Sequence, residues 1–167
     1  TGFKGSWLSL WLLELGAKVS GYSLNIPTNP SNFKILNLEN KLTHIKGDIR
    51  DKKLVGRIMK GVGFVFHEAA LRSVPRSIDD PGSTNDVNIT GTLNLLIAAR
   101  DNKVKRFIYA SSSSAYGDTK ELPKKESQKP QPISPYAVSK LTGEYYCQVF
   151  SKTFGIETVS LRYFNVY

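Results

Sequence analysis

GFVFHEAA (63–70) and RFIYASSS (106–113) flank VNITGTLNLLIAARDN (87–102), and this succession decides the fold. The outer stretches are short, continuous apolar runs that end in small or polar residues, the pattern of strands buried on both faces. The middle stretch repeats apolar residues at helical spacing. Strand, helix and strand in that order read as one crossover unit of a parallel sheet.

The same alternation extends both ways. Upstream, Leu8, Trp11, Leu12 and Leu15 fall at i, i+3, i+4 and i+7, one face of a helix that Gly16 stops. KVSGYSL (18–24) and THIKGDI (43–49) read as strands, with a loop carrying Pro27, Asn29 and Pro30 between them. Asp51 can cap a short helix running from Leu54 to Met59. Pro75 and Pro81 mark a loop, and a Pro-, Lys- and Gln-rich loop covers 118–133. Pro135 opens a helix to about Phe154, and ETVSLRYF (157–164) is the last strand. The expectation is one α/β domain, a doubly wound parallel sheet covered by helices on both sides. The sequence begins at Thr1 rather than Met and ends in a strand-like LRYFNVY. It therefore reads as a piece lacking the first strand of such a sheet.

Composition narrows the function classes. Apolar residues make up 40% of the 167 and charged residues 22%, enough for a core of ordinary size. The net charge of +9 comes from scattered lysines and arginines, so it reads as a solvated basic surface rather than a nucleic-acid patch. Cys147 is the single cysteine, which excludes an internal disulfide and suits a reducing, cytoplasmic setting. His44 and His67 are far apart in sequence, so no metal is expected. No apolar run is long enough to span a bilayer, and WLSLWLL after Lys4 lacks a small-residue cleavage site.

Four stretches bear chemistry. In TGFKGSW, Gly2 and Gly5 precede the first helix, where a backbone can approach a pyrophosphate attracted to the helix N-terminus. A glycine-containing loop reads equally well. GDIRD (47–51) puts Asp48 and Ile49 at a strand's carboxyl end, beside an adenine or simply in a capping turn. ASSSSAYG (110–117) offers serines to a sugar hydroxyl, or forms a polar loop. In SPYAVSK (134–140), Tyr136 and Lys140 share one helix face. A phenol of pKa about 10 is a weak base near neutrality, and an ammonium beside it favours the phenolate. Tyr136 and Lys140 preceded by the serine cluster, within strand–helix alternation, form a far more specific signal than either alone.

With those residues in view, the chain resembles the extended short-chain dehydrogenase/reductase superfamily, the nucleotide-sugar epimerases and dehydratases. The resemblance implies a Rossmann-type NAD-binding domain over 1–167, with a separate substrate domain absent from this sequence. It implies Ser112, Tyr136 and Lys140 as the catalytic set. For the cofactor it implies Gly2, Gly5, Asp48, Ile49, Ala69, Ala70, Arg72, Asn88 and Tyr163 together with Tyr136 and Lys140. Ser112, Ser113 and Asn165 fall on the substrate side. Ser73 and Arg76 are weaker substrate candidates, for which a surface loop reads equally well. Residues before about Val62 are similar to CDP-glucose 4,6-dehydratase, and those after it to UDP-glucose or UDP-N-acetylglucosamine 4-epimerase. The dehydratases carry an aspartate and then Glu or Lys directly after the catalytic Ser/Thr. Ser113 and Ser114 stand there. The active-site half therefore favours C4 epimerisation of a UDP-sugar; dehydration, or a non-catalytic dinucleotide-binding module, is the alternative. Ser23 replaces the acid expected on the adenosine ribose, so NAD is the expected cofactor with NADP left open. The resemblance also implies a homodimer through the helices near 87–102 and 135–154, and neither a nucleic-acid nor a membrane partner.

Overall fold

The computed structural model describes residues 1–166 as two compact units, one from Thr1 to Asp48 and one from Ile49 onward. In the first unit, helix α1 (Phe3–Glu14) precedes strand β1 (Ser20–Ser23), a short helix α2 (Asn32–Ile35), a 3-10 turn (Leu38–Asn40) and strand β2 (Thr43–Lys46). β1 and β2 pair in parallel, Ser20 opposite Thr43 through Ser23 opposite Lys46. Phe33 and Leu38 form the buried centre, and the Phe33 ring lies 5.2 Å from that of His44. The predicted buried face of α1 is not observed: Trp11 and Leu15 are exposed, as are Phe3 and Trp7. α1 is apolar around its whole circumference, so spacing alone singles out no face.

The second unit carries α3 (Lys52–Ile58), β3 (Phe64–His67), α4 (Val74–Asp79), α5 (Pro81–Asn85), a π segment (Asp86–Thr90), α6 (Gly91–Asp101), β4 (Arg106–Ser112), a 3-10 turn (Ser113–Tyr116), α7 (Pro135–Phe154) and β5 (Glu157–Tyr163). Asp51 caps α3 as expected, its Oδ1 accepting from Leu54 N at 2.9 Å. The sheet is parallel throughout, in the order β3-β4-β5. The predicted single sheet is thus described as two, one in each unit.

Pleat alternation sorts the second sheet's side chains. His67, Phe107 and Tyr109 share one face; α7 packs on the sheet, and α6 meets that face where Thr92 Oγ1 lies 2.8 Å from His67 Nε2. On the other face the register aligns Phe66, Ile108 and Val159, and Phe64, Phe66, Val159 and Leu161 are exposed. Burial on both faces, expected from the apolar runs, therefore fails for these strands. Two close approaches fix the covered face. A Cβ on Gly91 would meet Ile49 Cδ1 at 2.5 Å, and one on Gly143 would meet Tyr109 Cε1 at 2.7 Å. The loop read around Pro75 and Pro81 is in fact α4 and α5. Each has its proline in the first turn and an N-cap, Ser73 or Asp80, whose side chain accepts a backbone N–H. The helix expected over 87–102 begins in the π segment. Among the described residues, no helix is long and apolar enough to cross a membrane.

Candidate active site

The first turn of α7 carries Tyr136, and each of its opening backbone groups has an assigned partner. Pro135 has no N–H to satisfy. Tyr136 N donates to Ser77 Oγ at 3.1 Å, Ala137 N to Ser134 Oγ at 3.1 Å, and Val138 N to Ser134 O at 2.9 Å. The half-buried Tyr136 phenol feels three influences: burial raises its pKa, and the Ser112 hydroxyl and the Arg72 charge lower it. Burial dominates, so the pKa lies above the usual tyrosine value. Lys140 is buried one turn further along α7. Its Nζ donates to Ala110 O at 2.8 Å and lies 5.0 Å from the centre of the Tyr109 ring. The sequence reading gave Lys140 the task of lowering the Tyr136 pKa; in this structure the Arg72 charge acts in that direction.

Ser112 ends β4. Its Oγ donates to Ser114 Oγ at 3.1 Å and accepts from Ser114 N at 3.1 Å, which ties the 3-10 turn to the strand end. Ser113 opens that turn. Gly117 closes it at φ +68, and a Cβ there would collide with the Gln131 carbonyl. Gln131 N donates to Ala115 O at 3.1 Å, so the 118–130 loop is pinned at its base.

A buried ionic cluster that sequence reasoning missed lies behind these residues. Ser111 Oγ donates to Glu144 Oε1 at 2.5 Å, and Arg162 donates Nε to Oε1 at 2.9 Å and Nη2 to Oε2 at 2.8 Å. The guanidinium also stacks 4.6 Å from the Tyr116 ring centre. These contacts join β4, α7, β5 and the turn after Ser112. The one sequence signal was Glu144 four residues beyond Lys140, on the same helix face.

The remaining expected residues fall as follows in the second unit. Asn88 is fully buried in the π segment and engaged with protein groups. Its Oδ1 accepts from Leu71 N at 2.8 Å, and its Nδ2 donates to Leu71 O and Ser139 Oγ, both at 3.0 Å. Arg72 and Ala69 are exposed after β3, and Ala70 is partly covered. Ser73 holds φ +117, and its Oγ caps Arg76 N at 3.3 Å. Ile49 is buried, and its carbonyl accepts from Asn94 Nδ2 at 3.1 Å. Tyr163 is half-buried, with burial and the Glu68 carboxylate raising its pKa; Asn165 is exposed.

In the first unit, Gly2 is the N-cap of α1 and supplies no side-chain cap, and the first turn holds no acidic residue. The Cβ positions of Gly2 and Gly5 point into open space. That arrangement fits an anionic pyrophosphate. The Asp48 carbonyl accepts from Tyr22 Oη at 2.6 Å. Ser23 Oγ accepts from Thr1 Oγ1 at 3.0 Å and lies 2.9 Å from His44 Nε2. Among the described residues, no cluster of three or more His, Cys, Asp or Glu side chains could hold a metal ion.

The family model described as GDP-mannose 4,6 dehydratase matches residues 1–167. The chain belongs to this family, the NAD-dependent nucleotide-sugar epimerases and dehydratases. It is 37% identical to the CDP-glucose 4,6-dehydratase of Salmonella typhimurium, over 99% of this chain and 50% of that protein. It superposes with TM-score 0.92 on the UDP-N-acetylglucosamine 4-epimerase of Methanobrevibacter ruminantium, solved with UDP-N-acetylmuramic acid, at 39% identity over 99% of this chain and 53% of that one. The UDP-glucose 4-epimerase of Thermus thermophilus, solved with NAD, gives TM-score 0.91 at 36% identity, again over 99% and 53%. The Rossmann-type α/β fold expected from the sequence is thereby established. The chain spans about half the length of the curated relatives it matches.

Proposed function

We propose that the protein containing this chain is an NAD-dependent nucleotide-sugar 4-epimerase acting on a UDP-sugar. The observation that carries the reading is the pair Ser113 and Ser114 directly after Ser112, in the 3-10 turn. Dehydration across C5 and C6 needs an acid to expel the C6 hydroxyl, and neither hydroxyl supplies that proton at neutral pH. Epimerisation at C4 needs no such group.

In the second unit, Ser112 would orient the C4 hydroxyl and Tyr136 would take its proton. NAD, when bound, supplies reversible acceptance of the C4 hydride. Its positive nicotinamide ring would also lower the Tyr136 pKa, which burial holds high in this structure. Lys140 would meet the nicotinamide ribose, with Ala69, Ala70, Asn88 and Tyr163 shaping the surrounding wall and Arg72 reaching a phosphate. Arg76, Ser73, Ser113 and Asn165 would face the substrate. In the first unit, Gly2 and Gly5 would meet the pyrophosphate and Asp48 the adenine. The return of hydride to the other face of the 4-ketose completes the reaction with no net oxidation. The parent protein is read as a cytoplasmic homodimer, a pairing supported by Val138, Tyr145 and Val149 exposed along α7.

One observation favours a second reading, nucleotide-sugar 4,6-dehydratase: residues 1–167 match a dehydratase family model. Product analysis separates the two. The protein containing this chain, supplied with UDP-glucose and NAD, is expected to yield UDP-galactose and to lose this activity in Tyr136→Phe. A 4-keto-6-deoxy sugar as product would establish the dehydratase instead.

A further inference from the structure

Tyr136 is held by a residue that lies outside every motif above. Ser77 is completely buried on α4. Its Oγ donates to Val74 O at 2.7 Å and accepts from Tyr136 N at 3.1 Å. The cap of α7, Ser134 Oγ, goes to Ala137 N, so the main-chain N–H of Tyr136 itself is satisfied by α4 rather than by α7. The Tyr136 carbonyl is gripped from the other side. Ser139 Oγ donates to it at 2.8 Å and itself accepts from Asn88 Nδ2 at 3.0 Å.

A second observation concerns the start of α4. Ser73 holds φ +117 with ψ 116, a backbone conformation that a residue with a Cβ rarely adopts. Such strain persists only where the surroundings fix the chain. Here it lets α4 begin at Val74, two residues after the exposed Arg72, and bring Ser77 under the first turn of α7. The π segment acts alike from the opposite side, by turning Asn88 inward toward Leu71 and Ser139.

From this geometry we infer that Ser77 is a positioning residue for Tyr136, fixing the main chain from which the phenol reaches toward Ser112. Completely buried, it offers no surface to a ligand and acts through Tyr136. The inference rests on the role given to Tyr136 above. Without the Ser77 hydroxyl, the Tyr136 N–H loses its acceptor and the first turn of α7 is free to shift. Misplacement of a reacting group by about 1 Å costs up to about 100-fold in rate.

The test uses the full chain carrying residues 1–167, as wild type, Ser77→Ala, Ser77→Thr and a remote cap variant, Asp51→Ala. Turnover of UDP-glucose is measured across pH, and the Tyr136 phenol is titrated by tyrosine ring-carbon NMR, assigned with Tyr136→Phe. In Ser77→Ala, kcat should fall by about 10- to 100-fold with KM within about two-fold. The acid limb of kcat should move to higher pH as the phenol loses Ser112. Ser77→Thr, which keeps the hydroxyl, should recover most of the loss. Asp51→Ala should lose thermal stability but keep wild-type kcat and Tyr136 titration. Wild-type kcat together with an unchanged Tyr136 titration in Ser77→Ala overturns the inference, as does an equal loss in Asp51→Ala. If Ser77→Thr does not fold, Ser77→Ala and the titration decide alone. If the wild-type chain turns over no nucleotide sugar, the proposed function fails, and the Tyr136 titration still decides the role of Ser77.

Discussion

Replacing Gly143 with alanine sets two physical effects against each other on the helix that carries Tyr136 and Lys140. Helix propensity favours the change by about 1 kcal/mol. Packing opposes it. The new Cβ would sit 2.7 Å from Tyr109 Cε1, with Cζ and Oη closer still, and Tyr109 is fully buried. Normal carbon–carbon separation is about 3.5–4.0 Å, so the ring or the helix must retreat by about 1 Å. Overpacking of this kind costs about 1–3 kcal/mol, and a rigid buried ring belongs at the upper end. The balance is a loss of about 2 kcal/mol, read as a lower Tm and a lower urea midpoint. Displacement of Tyr109 also carries Lys140, whose ammonium lies 5.0 Å from that ring's centre, so turnover should fall with stability. The comparison is Gly56→Ala on α3, where the Cβ meets open space. That variant should be stabilised by about 0.5–1 kcal/mol. Thermal and urea unfolding of both variants in the full chain read the difference. Equal stabilisation by both would refute the packing of α7 on β4 described above.

Removing the Glu144 carboxylate leaves Arg162 as an uncompensated, largely buried charge, so Glu144→Ala should cost about 3–5 kcal/mol in urea unfolding. Replacing both partners with apolar residues of similar volume should restore most of it. His67 makes stability acid-sensitive: burial pushes its pKa down to about 3, the Lys140 charge helping, against about 6.5 in the unfolded chain. The unfolded state therefore takes up the proton first. The contribution is whole above pH ~6.5 and is lost as pH falls toward ~3, by about 4–5 kcal/mol in all. Urea titrations across that range should show a shallower acid loss in His67→Gln. Residues 1–167 expressed alone should be poorly soluble and turn over no UDP-sugar, consistent with exposed Phe64, Phe66, Val159 and Leu161 on one sheet face. Sustained epimerase activity from that segment would refute the expectation.

Local chemistry was legible wherever one residue settles the backbone. Pro135 opens α7 and Phe154 ends it, the bounds read from the sequence; Ser134 and, at φ +71, Gly155 cap the two ends. Asp51 likewise announced α3. The prolines at 75 and 81 were misread, because a proline that ends one helix can equally start another in its first turn. The apolar strands were found, but their burial was not: period-two alternation reveals that two faces exist, not which is covered. The buried cluster of Ser111, Glu144 and Arg162 left only the spacing of Glu144 from Lys140 as a trace, because sheet register and helix docking, not sequence spacing, bring it together. For the same reason Ser77, 59 residues before Tyr136, carried no signal. Lys140 follows Tyr136 by one turn of α7, as its spacing says, but that its long side chain runs to the Ala110 carbonyl on the sheet is set by packing rather than spacing.

The central claim, epimerisation without dehydration, is tested most directly by running the full chain with UDP-glucose and NAD in deuterium oxide and analysing the sugar carbons. The expected result is UDP-galactose with no deuterium at C4 or C5, since the hydride that leaves C4 returns to it and C5 is never deprotonated. Deuterium at C5 together with loss of the C6 hydroxyl would contradict the claim, and would mean that an acid other than Ser113 or Ser114 drives elimination.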